Sequence, residues 1–198
     1  MKDLGAAKRI LGMDIIRNRN KGELFLSQEN YLKKVVERFR MHQSKLVNTP
    51  LGSLSKLSIS QVPKIKEERI KMESVPYDSG VGSVMYDMVC CRLDLAYEIN
   101  LVSKFIANLG QLHWNALKWL FRYLNGILGC SLRFERNHIE GDAMIGYVDI
   151  DFAGCLDTRK SLTSYVFTMF GTTVTWKANL KSMVSLSTTE AEYIALTE

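Results

Sequence analysis

The chain has 198 residues, 46% of them hydrophobic, and a formal net charge of +5. That supports a sizeable core in one large or two small domains, and the mild basicity suits a phosphate-bearing partner, although a solvated surface is the commoner origin of such an excess. No apolar run is long enough to span a bilayer, no stretch reads as a secretory leader, and the four cysteines and three histidines lack zinc-ligand spacing, so reduced thiols and an intracellular site, cytoplasmic particle or nucleus, are expected.

Residues 9–17 alternate enough to predict a strand, residues 18–22 a turn, and residues 23–26 a second strand. Ser27 is placed to cap a helix running to about residue 41, with Leu32, Val35, Val36 and Phe39 on one buried face. Residues 48–76 read as a linker: they hold Pro50, Pro63 and Pro76 and a charged stretch over 64–71, and one short helix fits inside. Helices are predicted over 81–89 and 94–107. Val84, Met85, Met88 and Val89 face inward on the first, and Leu95, Ile99, Val102 and Ile106 on the second. A third helix spans 111–125, its apolar stripe made by Trp114, Leu117, Leu120, Phe121 and Leu124, and a strand follows over 131–135.

The last quarter, from Gly146 onward, carries the acids that invite a chemical reading. In a strand over 145–152, Asp149 and Asp151 project to one face. Two carboxylates side by side repel unless a cation lies between them, and oxygen ligands suit magnesium or manganese. A solvent-facing strand carries such aspartates without any metal, and spacing alone favours that simpler state. Residues 165–170 and 172–176 read as a hairpin turning at Gly171. A helix then starts near residues 187–189, where two capping boxes compete: Ser187 with Glu190, or Thr189 with Glu192. Only one can form, and it decides which glutamate is left free.

Taken together, GYVDIDFAG, LDTRKS, SYVF, VTWKANLK and LSTTEAEYIAL closely resemble, in order and spacing, the ribonuclease H domain of copia-type retrotransposon polyproteins. Upstream, MKDLGAAKRILGMDIIRNRNKGELFLSQENYLKKVVERF resembles the reverse transcriptase of that family just after its polymerase motif. PYDSGVGSVMYDMVCCRLDLAYEINLVSKFI and HWNALKWLFRYLNG resemble the stretch between the two enzymes. The resemblance implies an α+β chain. Its parts would be a palm–thumb hairpin and thumb helix (1–48), a linker (49–76), a helical connecting region (77–140) and a truncated ribonuclease H-like fold (141–198). The last would hold three antiparallel strands and the start of the first helix. The N-terminal hairpin would lie near the primer terminus, with Gly12 allowing close backbone approach.

The resemblance also implies roles. Asp149 and Glu190 match the family's metal-binding carboxylates; the resemblance gives Asp151 no equally firm role, and Asp151 and Glu192 are candidate accessory acids. In the intact parent, two magnesium or manganese ions about 4 Å apart would flank the scissile phosphate of an RNA·DNA hybrid, and Lys160, Lys177 and Lys181 are candidates for phosphate contact. The family's YVDD-like polymerase turn is expected before Met1, and two further ribonuclease H aspartates after the TEAEY helix. The 198 residues are therefore expected to lack efficient cleavage, leaving a non-catalytic nucleic-acid-binding module or a transposon remnant as alternatives. Four positions depart from the family pattern: Leu93 for proline, Cys155 for aspartate, Leu162 for a small residue, and Ser164 for glycine, the last requiring a negative φ.

Overall fold

A computed structural model describes residues 5–52, 56–135 and 144–197. Expectations that fall on residues 1–4, 53–55, 136–143 and 198, including the 140/141 boundary, lie outside the described residues. The described residues form an α+β fold with six α-helices and two antiparallel sheets.

The first sheet has the order β1-β2-β3-β4, formed by Arg9–Ile10, Met13–Asn18, Glu23–Ser27 and Ser131–Glu135. The single strand expected over 9–17 is therefore two. Leu11 (φ 46°) and Gly12 (φ 74°) both take the left-handed region, and a two-residue loop of that kind folds the chain back so that Ile10 faces Met13. The Tyr86 hydroxyl donates to the Leu11 carbonyl, and a Cβ on Gly12 would lie 3.5 Å from its phenol oxygen. β4 is the strand expected over 131–135, and it pairs with β3, Leu24 opposite Phe134. Arg133 pins that pairing through Glu23 at 2.6 Å.

Helix α1 (Glu29–Arg38) buries Leu32, Val35 and Val36 as its periodicity predicts. It is shorter at both ends than expected. Ser27 closes β3, and its hydroxyl accepts the Glu29 N–H at 3.3 Å. At the other end, Arg40 takes φ 56°, and the Met41 and Arg40 N–H groups return to Val36 and Glu37. That left-handed residue ends the helix in a Schellman turn. The following segment holds a 3₁₀ turn (Ile59–Gln61) and the short helix α2 (Lys66–Glu73). It is anchored by buried Leu51, Leu57 and Met72 and by a 2.8 Å bond from Trp119 Nε1 to the Thr49 carbonyl.

The core is helical. α3 (Tyr77–Cys90), α4 (Ala96–Ser103) and α5 (Gln111–Gly126) pack with α1 around Val84, Leu95, Ile99, Val102, Leu117 and Phe121. On α3 the inward stripe is Tyr77, Val81, Val84 and Asp87; Met85 and Val89 are exposed, contrary to expectation. The stripe follows Gly80, where a Cβ would meet Leu117 Cδ2 at 2.8 Å, so α5 rests on that side of α3. Ile106 is exposed because α4 ends at Ser103. The break between α3 and α4 forms without proline: a 3₁₀ turn (Leu93–Leu95) follows buried Arg92, whose guanidinium grips Asp94 at 2.6 and 2.8 Å.

The second sheet has the order β5-β6-β7: Met144–Ile150, Leu162–Met169 and Thr172–Leu180. This is the three-stranded antiparallel arrangement expected. Phe170 (φ 52°) and Gly171 (φ 70°) make its tight turn, and a register shift falls at Phe167/Thr168. Helix α6 (Thr188–Leu196) packs on β5 with Ala191 and Ala195 buried one turn apart. Polar ties join this sheet to the helices. Trp176 Nε1 donates to the Met88 carbonyl at 3.1 Å, and Asn100 Nδ2 to the Ala178 carbonyl at 2.7 Å.

Candidate carboxylate site

Asp149 lies on β5 opposite Ser164, and its side chain is exposed. Strand alternation puts Val148 with Tyr165 and Lys177 on one face, and Asp149 with Ser164 and Ala178 on the other. A cavity of 260 Å³ lies between the first face and the end of α6, lined by Val148, Tyr165, Phe167, Lys177 and Leu196. Asp149 is on the face turned from that cavity. Ser164 has no positive φ, which is the condition for serine at the family's glycine position.

The competition between capping boxes resolves in favour of Ser187. Its hydroxyl accepts the Glu190 N–H at 3.1 Å, and Glu190 Oε2 accepts the Leu186 N–H at 2.7 Å. The Glu190 carboxylate therefore spends one oxygen on closing the helix start, where the exposed N–H groups and the helix dipole favour an anion. Glu192, two residues on, is exposed.

Asp151 has a defined structural task. Its Oδ1 accepts the Leu162 N–H at 2.7 Å while its own N–H donates to the Leu162 carbonyl at 3.1 Å. A Cβ on Gly154 would lie 2.1 Å from Asp151 Oδ2, so the carboxylate rests on that glycine. These contacts close the loop between β5 and β6. Within it, burial tends to raise the Cys155 thiol, but hydrogen bonds from Thr158, the Lys104 charge and the Asp157 backbone together outweigh it and the net shift is downward.

The three lysines are separated. Lys160 is half-buried, and its carbonyl accepts the Cys155 N–H. Lys177 is exposed beside the 260 Å³ cavity. Lys181 is only 5% exposed, its N–H bonded to the Ser161 carbonyl at 2.9 Å. Of the three, Lys177 is the exposed one.

The donors around β5 and α6 are all carboxylate oxygens, which suits magnesium or manganese chemically. Among the described residues, however, no group of three or more His, Cys, Asp or Glu is gathered to hold a metal ion. With Asp151 and half of Glu190 engaged in local hydrogen bonds, these residues do not form a complete metal site. Two further acids are placed by the tertiary structure where sequence spacing did not single them out. Asp157 accepts the Ser58 hydroxyl at 2.7 Å and the Ile59 N–H at 3.1 Å. Asp87 is fully buried; its signal was its position three residues after Val84, on the inward stripe.

The fold and its acids thus define an α+β chain whose family motifs each occupy a separate element around β5. Over all 198 residues the chain is 50% identical to the retrovirus-related Pol polyprotein from transposon TNT 1-94 of Nicotiana tabacum, of which it spans 15%. It is 30% identical over 170 residues, 86% of its length, to the retrovirus-related Pol polyprotein from transposon RE2 of Arabidopsis thaliana, spanning 11% of that protein. It is also 41% identical over 128 residues, 64% of its length, to the secreted RxLR effector protein 161 of Plasmopara viticola, covering 88% of it. The chain belongs to the family of retrovirus-related Pol polyproteins of copia-type transposons. It spans a small part of the length of the Pol polyproteins it matches. No family model matches the chain, and no solved structure matches it. Among the described residues, no helix is long and apolar enough to cross a membrane.

Proposed function

We propose that this part of a transposon Pol protein joins the end of a reverse transcriptase to the first half of a ribonuclease H, divided at residues 1–48, 49–76, 77–140 and 141–198. The observation that carries the reading is the pairing of α6 with β5. The helix with Glu190 in its first turn packs against the strand with Asp149, its C-terminal end over the face opposite the Asp149 side chain, and β6 and β7 between them hold SYVF and VTWKANLK. In this reading Asp149 and Glu190 are two of the carboxylates that serve RNA·DNA hybrid cleavage in the longer protein. Asp151 and Glu192 are accessory, and Lys177 is the phosphate contact best placed for access. All four cysteines are unpaired, which supports an intracellular site.

By themselves, the 198 residues do not turn over. Magnesium prefers a nearly octahedral oxygen shell, and the acids present supply too few free oxygens to hold one firmly. The test is a labelled RNA·DNA hybrid incubated with the purified chain and magnesium, beside Asp149→Asn and Glu190→Gln. The expected result is no cleavage above these controls. Turnover above them would refute inactivity. In a Pol protein extended to complete the ribonuclease H, the same two substitutions should each abolish hybrid cleavage. Unchanged cleavage there would refute the assigned roles.

A further inference from the structure

Acidic residues are absent from two long stretches, 38–66 and 99–134, and residues 41–49 of the first are bonded to Trp119, Arg122 and Asn125 of the second. α5 supplies the second, and its solvent side presents Lys118, Trp119 and Arg122, which share a face at helical spacing. The turn after α1 runs along this face. Arg122 Nε donates to the Lys45 carbonyl at 2.5 Å, and Asn125 Nδ2 to the His42 carbonyl at 3.1 Å. Phe39 meets Trp114 at a ring separation of 6.5 Å, which brings the basic end of α1 beside the start of the same face. Lys118 lies over the Trp114 ring at 5.8 Å, and Arg122 over the Trp119 ring at 4.9 Å.

We propose that the outer face of α5, with the turn holding Lys45, is a nucleic-acid docking surface that grips the phosphodiester backbone. The argument is charge complementarity. Among the described ion pairs none involves Lys45, Lys118 or Arg122; the acid that touches α5 is Asp94, which accepts the Tyr123 hydroxyl at 2.9 Å and is itself paired with Arg92, while Glu37 and Asp78 lie on α1 and α3. A solvated face normally mixes both signs; one that excludes acids over two packed stretches attracts a polyanion. Half-buried Trp114 and Trp119 hold the cationic heads in place and offer ring edges to bases or sugars. This surface rests on the reading of nucleic acid as partner, but it is independent of the carboxylates and needs no metal.

The experiment is fluorescence anisotropy of the 198-residue chain with labelled RNA·DNA hybrid, single-stranded RNA and single-stranded DNA across a salt series, with heparin as competitor. Lys118→Gln with Arg122→Gln should weaken binding about tenfold and lower the salt slope by about two. Lys33→Gln with Lys34→Gln removes the same charge from the exposed side of α1 and should change affinity less than about twofold, as net charge alone would. Arg122→Lys keeps the charge and should bind like the parent; if it fails as Arg122→Gln does while melting normally, the side chain is structural and the proposal falls. Equal losses from the two double variants, or no nucleic-acid binding by the parent chain, also overturn it. Neither outcome bears on the ribonuclease H reading, which is tested by cleavage.

Discussion

Both carboxylate oxygens of Asp87 are buried without a hydrogen-bond partner, in the last turn of α3. Burial raises its pKa from 3.8 to about 7; Arg92 pulls it down, and Asp94 pushes it further up. Between those two values the folded state binds more protons than the unfolded one, so stability falls as pH rises and the loss is complete above about 7. Asp87→Asn removes that dependence. Its urea midpoint should match the parent near pH 4 and exceed it at pH 8, by up to roughly 4 kcal/mol of unfolding free energy; equal midpoints at pH 8 would mean that Arg92 neutralises the charge in place. At α6, Ser187→Ala removes the cap and should cost about 1 kcal/mol, whereas Ser187→Asp should cost little. Circular dichroism during urea unfolding separates the two. The sequence offered two caps, and in the fold Ser187 is the cap while Glu190 reaches back to the Leu186 N–H.

His113 ties three elements together. Its ring stacks on Phe105 at 3.8 Å, Nδ1 accepts the Gly110 N–H at 2.9 Å, and Nε2–H donates to the Ser58 carbonyl at 3.1 Å. Ser58 and Ile59 in turn donate to Asp157, on the loop between β5 and β6. Burial lowers the His113 pKa; the Ser58 carbonyl and Asp157 oppose that shift. The depressed value means that the neutral ring is the folded form. Its stability contribution is present above the unfolded value of about 6.5 and is lost as pH falls below it. Amide exchange at Gly110 and Ser58 should therefore accelerate between pH 6.5 and 5 relative to the centre of α5; uniform exchange along the chain would refute a local release. Gly110 itself admits no side chain, because a Cβ would lie 2.2 Å from the Gln61 carbonyl oxygen. Gly110→Ala should destabilise by about 3 kcal/mol or more, and limited proteolysis should then begin near Lys56. In the parent chain, first cleavage is expected within residues 64–71 and not within α5, whose backbone is bonded and whose apolar side is fully buried.

At the scale of the molecule, the main apolar core is drawn from residues 32–128, while the β5-β6-β7 sheet and α6 join it through a few polar ties. Few buried apolar contacts across that junction make the C-terminal unit the less stable part. A variant keeping Trp176 as its sole tryptophan should report unfolding at lower urea than one keeping only Trp114. Coincident transitions would show that the junction is as cooperative as the core. Several exposed apolar residues on that unit, Tyr147, Leu186, Tyr193 and Leu196 among them, fit the same picture of a thinly covered sheet.

Local pattern was enough to place the α1 and α5 stripes, the tight turn at Gly171, the three-stranded sheet around Asp149 and the start of α6. Each rests on contacts between residues close in the chain, so periodicity and turn chemistry carry the information. Resemblance supplied what periodicity could not, the family and the proposal that Asp149 and Glu190 are its acids. Tertiary structure alone decided that Leu11–Gly12 splits a strand, that Asp87 rather than Val89 turns inward, that β4 returns to β3, and that Asp151 and Glu190 are drawn into backbone hydrogen bonds. Those outcomes depend on which distant surfaces meet: Tyr86 over Gly12, α5 against Gly80, Leu162 beside Asp151. A carboxylate's task is set by the donors that reach it, and strand alternation or helix spacing fixes its direction without naming its partner.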